Sequence, residues 1–214
     1  MVMKEQIPTF ACVLRSGGDY RPLHTDCLMR QIERCSTVPY RFLCLTDFAG
    51  ADRWFPSQPL EFNYPGWWSC VELWKIKGPV IVAGLDTLIM GNIDRLFQFA
   101  CSLKENQFGL LDSPFHFGEF VNGIQVWNGD FSWLLKNFDF EKIQAKYRGD
   151  ENYLIDSLYQ KNIEIVSINE NFDGIYNYKM DYLKKRMTVD PKILYFHGKP
   201  RPWNVINLWR KYGQ

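Results

Sequence analysis

The apolar and polar positions of the chain change period repeatedly, and each change marks a predicted element. Thr9–Leu14 (TFACVL) is apolar nearly throughout and predicts a buried strand, closed by the glycine turn Arg15-Ser16-Gly17-Gly18. Apolar residues at 23, 27, 28 and 32 then follow helical spacing and predict a helix over Leu23–Cys35. Tyr40–Thr46 (YRFLCLT) predicts a second strand, Trp67–Ile76 a helix, and the fully apolar Val80–Leu85 (VIVAGL) a third strand. Shorter strands are predicted at Phe108–Leu111, Gly123–Trp127, Ile163–Ile168 and Ile193–Phe196, with a helix over Asn152–Tyr159. Strands alternating with helices through the first half predict a parallel α/β sheet covered on both faces, with a mixed second half. In such a sheet ligands bind beyond the carboxyl ends of the strands. The polar groups there are Arg15 and Ser16, then Thr46-Asp47, then Asp86-Thr87.

Composition narrows the class. At 214 residues and 46% hydrophobic the chain can bury a large core, which excludes wholesale disorder. Aromatic residues make up 16%, with eight Trp, a supply of rings suited to lining sites for sugars and bases. The six cysteines form no CxxC pair, which excludes zinc-ribbon and thioredoxin-like sites and leaves buried free thiols as the reading. No apolar run approaches the roughly 20 residues of a membrane span, and residues 1–6 lack a signal-peptide core. The expectation is a soluble, cytoplasmic protein with one domain over residues 1–214.

The net charge of +1 hides an asymmetry. Residues 176–214 carry Lys179, Lys184, Lys185, Arg186, Lys192, Lys199, Arg201, Arg210 and Lys211 against Asp181 and Asp190 alone. A segment so basic suits an anion: a diphosphate, a nucleic-acid backbone or an anionic membrane surface, with a plain solvated face as the alternative. Asp86, directly after an apolar strand, needs a partner or a cation, or else serves as an Asx-turn or cap. His197 precedes Gly198 and Lys199, a run offering an imidazole for a metal, open backbone and a point charge for phosphate; a structural histidine is the other reading.

These segments together resemble the nucleotide-sugar glycosyltransferases of the GT-A fold, most closely the retaining, family 8-like group. The likeness runs through Thr9–Tyr20, Thr46-Asp47, Pro65-Gly-Trp-Trp-Ser69 with Glu72-Leu73, and Ala83-Gly-Leu-Asp-Thr-Leu-Ile89 at the Asp-x-Asp position. It continues through Asn122-Gly-Ile-Gln-Val-Trp127, Gly149-Asp150-Glu151, Asn177-Tyr-Lys179 and Phe196-His-Gly-Lys199. The resemblance implies a Rossmann-like α/β domain with a mixed, mostly parallel central sheet. It also implies sugar transfer from a nucleotide-diphosphate donor, UDP first, to a hydroxyl with retention.

Residue by residue, the resemblance makes Asp47 an acceptor for the base, with Arg15 and Leu85 beside it in the donor site. Asp86 and His197 would hold Mn²⁺ or Mg²⁺ on the diphosphate, and Lys199 with the Gly198 backbone would stabilise the departing nucleotide. Asp150 would bind donor-sugar hydroxyls, Asn122 would orient sugar or acceptor, and Glu151 would sit on the reacting face of the sugar. From sequence alone Asp150-Glu151 serves equally well as a helix start.

Two residues depart from the pattern. Gly84 stands at the first Asp of Asp-x-Asp, and Cys70 stands where the family has a donor-facing Lys or Arg. They motivate an alternative, a binding module that holds a nucleotide-sugar or glycan without turnover. Glycans, lipid-linked glycans and modified DNA bases are all acceptors compatible with the basic carboxyl-terminal segment.

Overall fold

The computed structural model describes residues 6–136 and 138–213. Residues 1–5, read above for a leader, lie outside the described residues. The apolar runs form the strands of the core: β1 (Thr9–Leu14), β2 (Arg41–Thr46), β3 (Ser57–Pro59), β4 (Gly78–Ala83), β5 (Thr87–Ile89) and β6 (Gln107–Asp112). β7 (Phe120–Gly129), β8 (Glu164–Ser167), β9 (Ile175–Asn177) and β10 (Ile193–Tyr195) follow. Helices α1 (Pro22–Cys35), α2 (Asp94–Ser102), α3 (Trp133–Lys136), α4 (Phe140–Lys146), α5 (Asp150–Gln160), α6 (Ile168–Asn171) and α7 (Ile206–Tyr212) connect or cover them.

Among the described residues the strands make a seven-stranded sheet in the order β3-β2-β1-β4-β7-β6-β8 and a three-stranded sheet β5-β10-β9. The larger sheet is mostly parallel, and β7 runs against both its neighbours. One face packs Phe10, Leu28, Ile32, Ile81 and Phe97 under α1 and α2. The other packs Trp74, Trp127, Phe108, Leu154 and Leu158 under α5 and the 66–75 segment. Both faces are therefore dry, which is why the central strands read as continuous apolar runs rather than alternating ones.

Several boundaries differ from the sequence reading. The third strand ends at Ala83, because Gly84, Leu85 and Asp86 turn the chain out of the large sheet and into β5. Ile168 leaves its predicted strand and opens α6, with the Ser167 hydroxyl capping it. Residues 66–75 are a 3₁₀ helix rather than an α-helix. Its threefold repeat stacks Trp68, Val71 and Trp74 on one buried row, and an α-helical repeat would spread them. Cys12, Cys27 and Cys44 are buried free thiols, as expected, whereas Cys35 and Cys70 are half-buried and Cys101 is exposed. Among the described residues no helix is long and apolar enough to cross a membrane.

Candidate active site

Because β1, β2 and β4 are parallel, their carboxyl ends share one edge of the sheet. The antiparallel β7 brings its amino-terminal half to the same edge, with Ile124 opposite Ala83. Three groups of side chains are assembled there.

The first joins the ends of β1 and β2. Asp47 accepts hydrogen bonds from the Ser16 backbone N–H at 2.7 Å and from the Ser16 hydroxyl, and pairs with Arg15 at 3.2 Å. Arg15 also donates to Asn63. Partial burial pushes the Asp47 carboxyl upward, but the Ser16 bonds and Arg15 outweigh it and hold it below the usual range. Leu85, expected in the donor site, has its side chain in the core, so its backbone is what the site edge can use.

The second group surrounds Asp86. Tyr20 Oη donates to Asp86 Oδ2 at 2.9 Å, and Arg201 pairs with the same oxygen. The Arg201 guanidinium lies 5.0 Å from the centre of the Tyr20 ring. Burial pushes the Asp86 carboxyl up, and Arg201 offsets part of that rise. A Cβ placed on Gly84 would lie 2.6 Å from Asp86 Oδ1, so glycine leaves room for the carboxylate to fold back this way. The Asp86 carbonyl accepts the Phe196 N–H at 3.0 Å, which sets His197 beside Asp86 in the chain path. His197 itself is exposed and packs edge-on against Phe115 at 5.2 Å. Gly198 has φ +69°, with Lys179 Nζ 4.0 Å from where a Cβ would stand, while Lys199 is exposed at the mouth.

The third group is built on a bulge. Leu110 pairs with Gln125 and Leu111 with Val121, so Asn122, Gly123 and Ile124 are extra on the β6 side of β7. Displaced from the ladder, Asn122 reaches the first turn of α5. Its Nδ2 donates to Asp150 Oδ2 at 2.9 Å and its backbone N–H to Glu151 Oε2 at 3.0 Å. The bulge is pinned from below: buried Trp74 Nε1 donates to Gln125 Oε1 at 2.9 Å. Burial raises the Asp150 carboxyl to about 6, with the Asn122 bond pulling down and the Glu151 charge pushing up. Asp150 and Glu151 do start a helix, and they also converge on a common partner, which a cap alone does not require.

Cys70 links the second and third groups. Burial raises its thiol well above the usual range, and the charges of Asp150 and then Asp86 add to the rise. Lys75 does not replace the missing cation there; its ammonium pairs with Glu61 at 2.9 Å and Glu72 at 3.3 Å. Buried Glu72 in turn accepts from the backbone N–H groups of Glu61 and Phe62. Trp68 is core, whereas Trp67 is 64% exposed with its Nε1 3.8 Å from the space beside Gly149.

This donor set is poor in free oxygen ligands for a divalent cation. Gly84 brings no carboxylate, Asp86 Oδ2 is already engaged by a phenol and a guanidinium, and His197 is turned onto Phe115. Among the described residues no three His, Cys, Asp or Glu side chains are grouped to hold a metal. Asp86 and His197 as arranged do not fit a protein-held Mg²⁺ or Mn²⁺, which wants several oxygen ligands. Tyr20 and Arg201 were missed as site residues. Arg201 lies 115 positions from Asp86, and only the β5–β10 pairing brings them together.

The mixed α/β sheet with its loaded carboxyl edge is the GT-A glycosyltransferase fold. Glycosyltransferase GlyE of Streptococcus pneumoniae TIGR4 superposes with TM-score 0.66 at 14% identity, covering 97% of this chain and 60% of that one. This chain thus spans about three-fifths of GlyE. Galactosyltransferase LgtC, solved with donor and acceptor sugar analogs, matches with TM-score 0.59 at 12% identity over 95% of this chain and 93% of its own. Mouse xyloside xylosyltransferase 1 in its apo form gives TM-score 0.59 at 11% identity, over 92% and 99% respectively. No protein-family model matches the sequence, and no curated protein matches it.

Proposed function

We propose that this chain is a retaining glycosyltransferase that moves a sugar from a nucleotide-diphosphate donor, UDP first, to a hydroxyl acceptor. The observation that carries this reading is the Asn122–Asp150–Glu151 cluster, set on the same sheet edge as Asp47 and Asp86. Carboxylates and an amide converging at a bulge make a hydroxyl-binding set suited to a sugar. The Ser16–Asp47–Arg15 group offers donor and acceptor partners to a base and ribose.

In the proposed reaction the bond between the anomeric carbon and the diphosphate oxygen breaks, its electron pair leaving with the phosphate. The acceptor oxygen forms the new bond to the anomeric carbon from the same face, and its proton passes to the departing phosphate oxygen. The chain's part is electrostatic: cationic groups at the Gly198 turn stabilise charge on the leaving group as it develops. Asp150 holds sugar hydroxyls, and Glu151, fixed by the Asn122 N–H, faces the developing positive charge. Exposed Trp67 beside Gly149 and exposed Phe115 beside His197 suit a glycan acceptor stacking at the mouth.

The test is donor hydrolysis and transfer with a panel of UDP-sugars, followed by product release. Turnover that falls at least a hundredfold in Asp150→Asn would support the reading. Nucleotide binding without turnover of any sugar would instead select the binding module that Gly84 and Cys70 motivate.

A further inference from the structure

Arg201 is held in a position that a free surface arginine does not adopt. Tyr195 pairs with Thr87 across β10 and β5, and Phe196 donates to the Asp86 carbonyl, so the chain past His197 must fold over Asp86. The Arg201 backbone is then fixed by Asn204, whose Oδ1 accepts the Arg201 N–H at 3.0 Å and whose N–H returns to the Arg201 carbonyl at 2.9 Å. The guanidinium hydrogen-bonds on one side only. Its Nη1 serves Asp86, while its buried Nε is ion-paired with Asp19 Oδ2 at 3.7 Å but has no hydrogen-bond partner among the described residues. A buried donor left without a hydrogen bond is costly, which marks it as a group awaiting an acceptor.

We propose that Arg201 takes the place of the divalent cation at this site, bridging Asp86 to the diphosphate of the donor so that nucleotide binding needs no metal. The inference rests on the reading of this edge as a nucleotide-diphosphate site. A metal ion in that role would be a fixed positive charge held by a carboxylate on one side and by phosphate oxygens on the other. A guanidinium meets the same description: it keeps its charge at all working pH values and presents several donors in a rigid fork that matches phosphate. Gly84 follows from the same arrangement. A side chain there would run into Asp86 Oδ1, and a second carboxylate is not needed to hold a cation that is already tethered to the chain. The neighbouring Lys179 ammonium beside Gly198 supplies a further charge for the second phosphate.

The test is calorimetric titration of UDP into the wild-type protein, Arg201→Gln and Arg201→Lys, each in EDTA and in Mn²⁺, with thermal melts to check folding. The expected result is wild-type affinity equal within about twofold in the two buffers. In EDTA, Arg201→Gln should be weakened at least tenfold and Arg201→Lys less. A wild-type protein that binds UDP only with Mn²⁺ overturns the inference and leaves the donor reading standing; this arm does not depend on any variant folding. Undiminished binding by folded Arg201→Gln also overturns it. No binding of UDP, ADP, GDP, CDP or dTDP by the folded wild type in either buffer overturns the donor reading and the inference with it.

Discussion

Asp150 is a carboxyl 9% exposed, with its ionisation raised to about 6 by burial first and by Glu151 second. Its ordinary value is 3.8, so the folded protein holds a proton there that the unfolded chain releases. Stability therefore falls as pH rises from about 4 to about 6, by on the order of 3 kcal/mol, and stays lowered above that. Asp150→Asn removes the charge while keeping an acceptor for Asn122. Denaturant titrations should show the variant more stable than wild type at pH 7 by roughly 2–3 kcal/mol, with the two converging below pH 4. Turnover should fall in the same variant, the pattern of a group retained for function at the expense of the fold. His24 titrates with the opposite sign. Burial first and Arg21 second lower it from 6.5 to about 4, and its Nδ1 accepts the Arg21 N–H at 3.1 Å, so the folded ring is neutral. The stability it contributes is complete above pH 6.5 and is lost between 6.5 and 4. His24→Phe, keeping the 3.8 Å stack on Trp203, should flatten that limb by roughly 1–3 kcal/mol.

At the scale of elements, the β7 bulge is what brings Asn122 to the first turn of α5, and its support is a buried hydrogen bond. Gln125 is 2% exposed and accepts from Trp74 Nε1, while its Nε2 donates to the Asn122 carbonyl at 3.5 Å. Gln125→Leu fills the space but strands the indole N–H. Urea denaturation should register a loss of about 1–3 kcal/mol, and turnover should fall further than the change in stability accounts for. Strands buried on both faces and a helix buried on one were readable from the chain: β1, β2, β4 and α1 follow from apolar runs and spacing that tertiary contacts only reinforce. What the pattern did not carry is short or externally capped. β5 is three residues long, and α2 begins at Asp94, whose carboxylate is occupied by Ser36 and the Thr37 backbone of another element. The 3₁₀ character of 66–75 is set by the buried row it must present, which local propensity does not encode. The candidate site was legible in part for the same reason. Arg15, Asp47 and Asp86 stood out as polar residues at strand ends, whereas Asn122, Asp150 and Glu151 were marked only by the family resemblance. Tyr20 and Arg201 gain meaning only from a pairing between distant strands.

For the whole molecule, the proposed donor would touch both sheets: Arg15 and Asp47 belong to the large one, whereas Gly198 and Arg201 follow β10 of the small one. The shortest covalent joint between the sheets is the turn Gly84–Asp86, and one backbone bond from Phe196 to Asp86 braces it. A ligand gripping both sides should stiffen that joint beyond what its own contacts cover. At a hundred times its dissociation constant a ligand adds about 2.7 kcal/mol to stability, and a chain of this size gains about 2–4 °C in Tm per kcal/mol, so saturating UDP should raise Tm by roughly 5–10 °C. Hydrogen exchange should localise the effect. Amides of residues 84–90 and 193–204 should slow together with those around Asp47, because closing one half of the site without the other would not hold the nucleotide. In Asp47→Ala the large-sheet grip is removed, and both the Tm rise and the slowing at 193–204 should shrink together. Slowing confined to the Asp47 side in the wild type would show that the nucleotide rests on the large sheet alone, and the small sheet would then need another role.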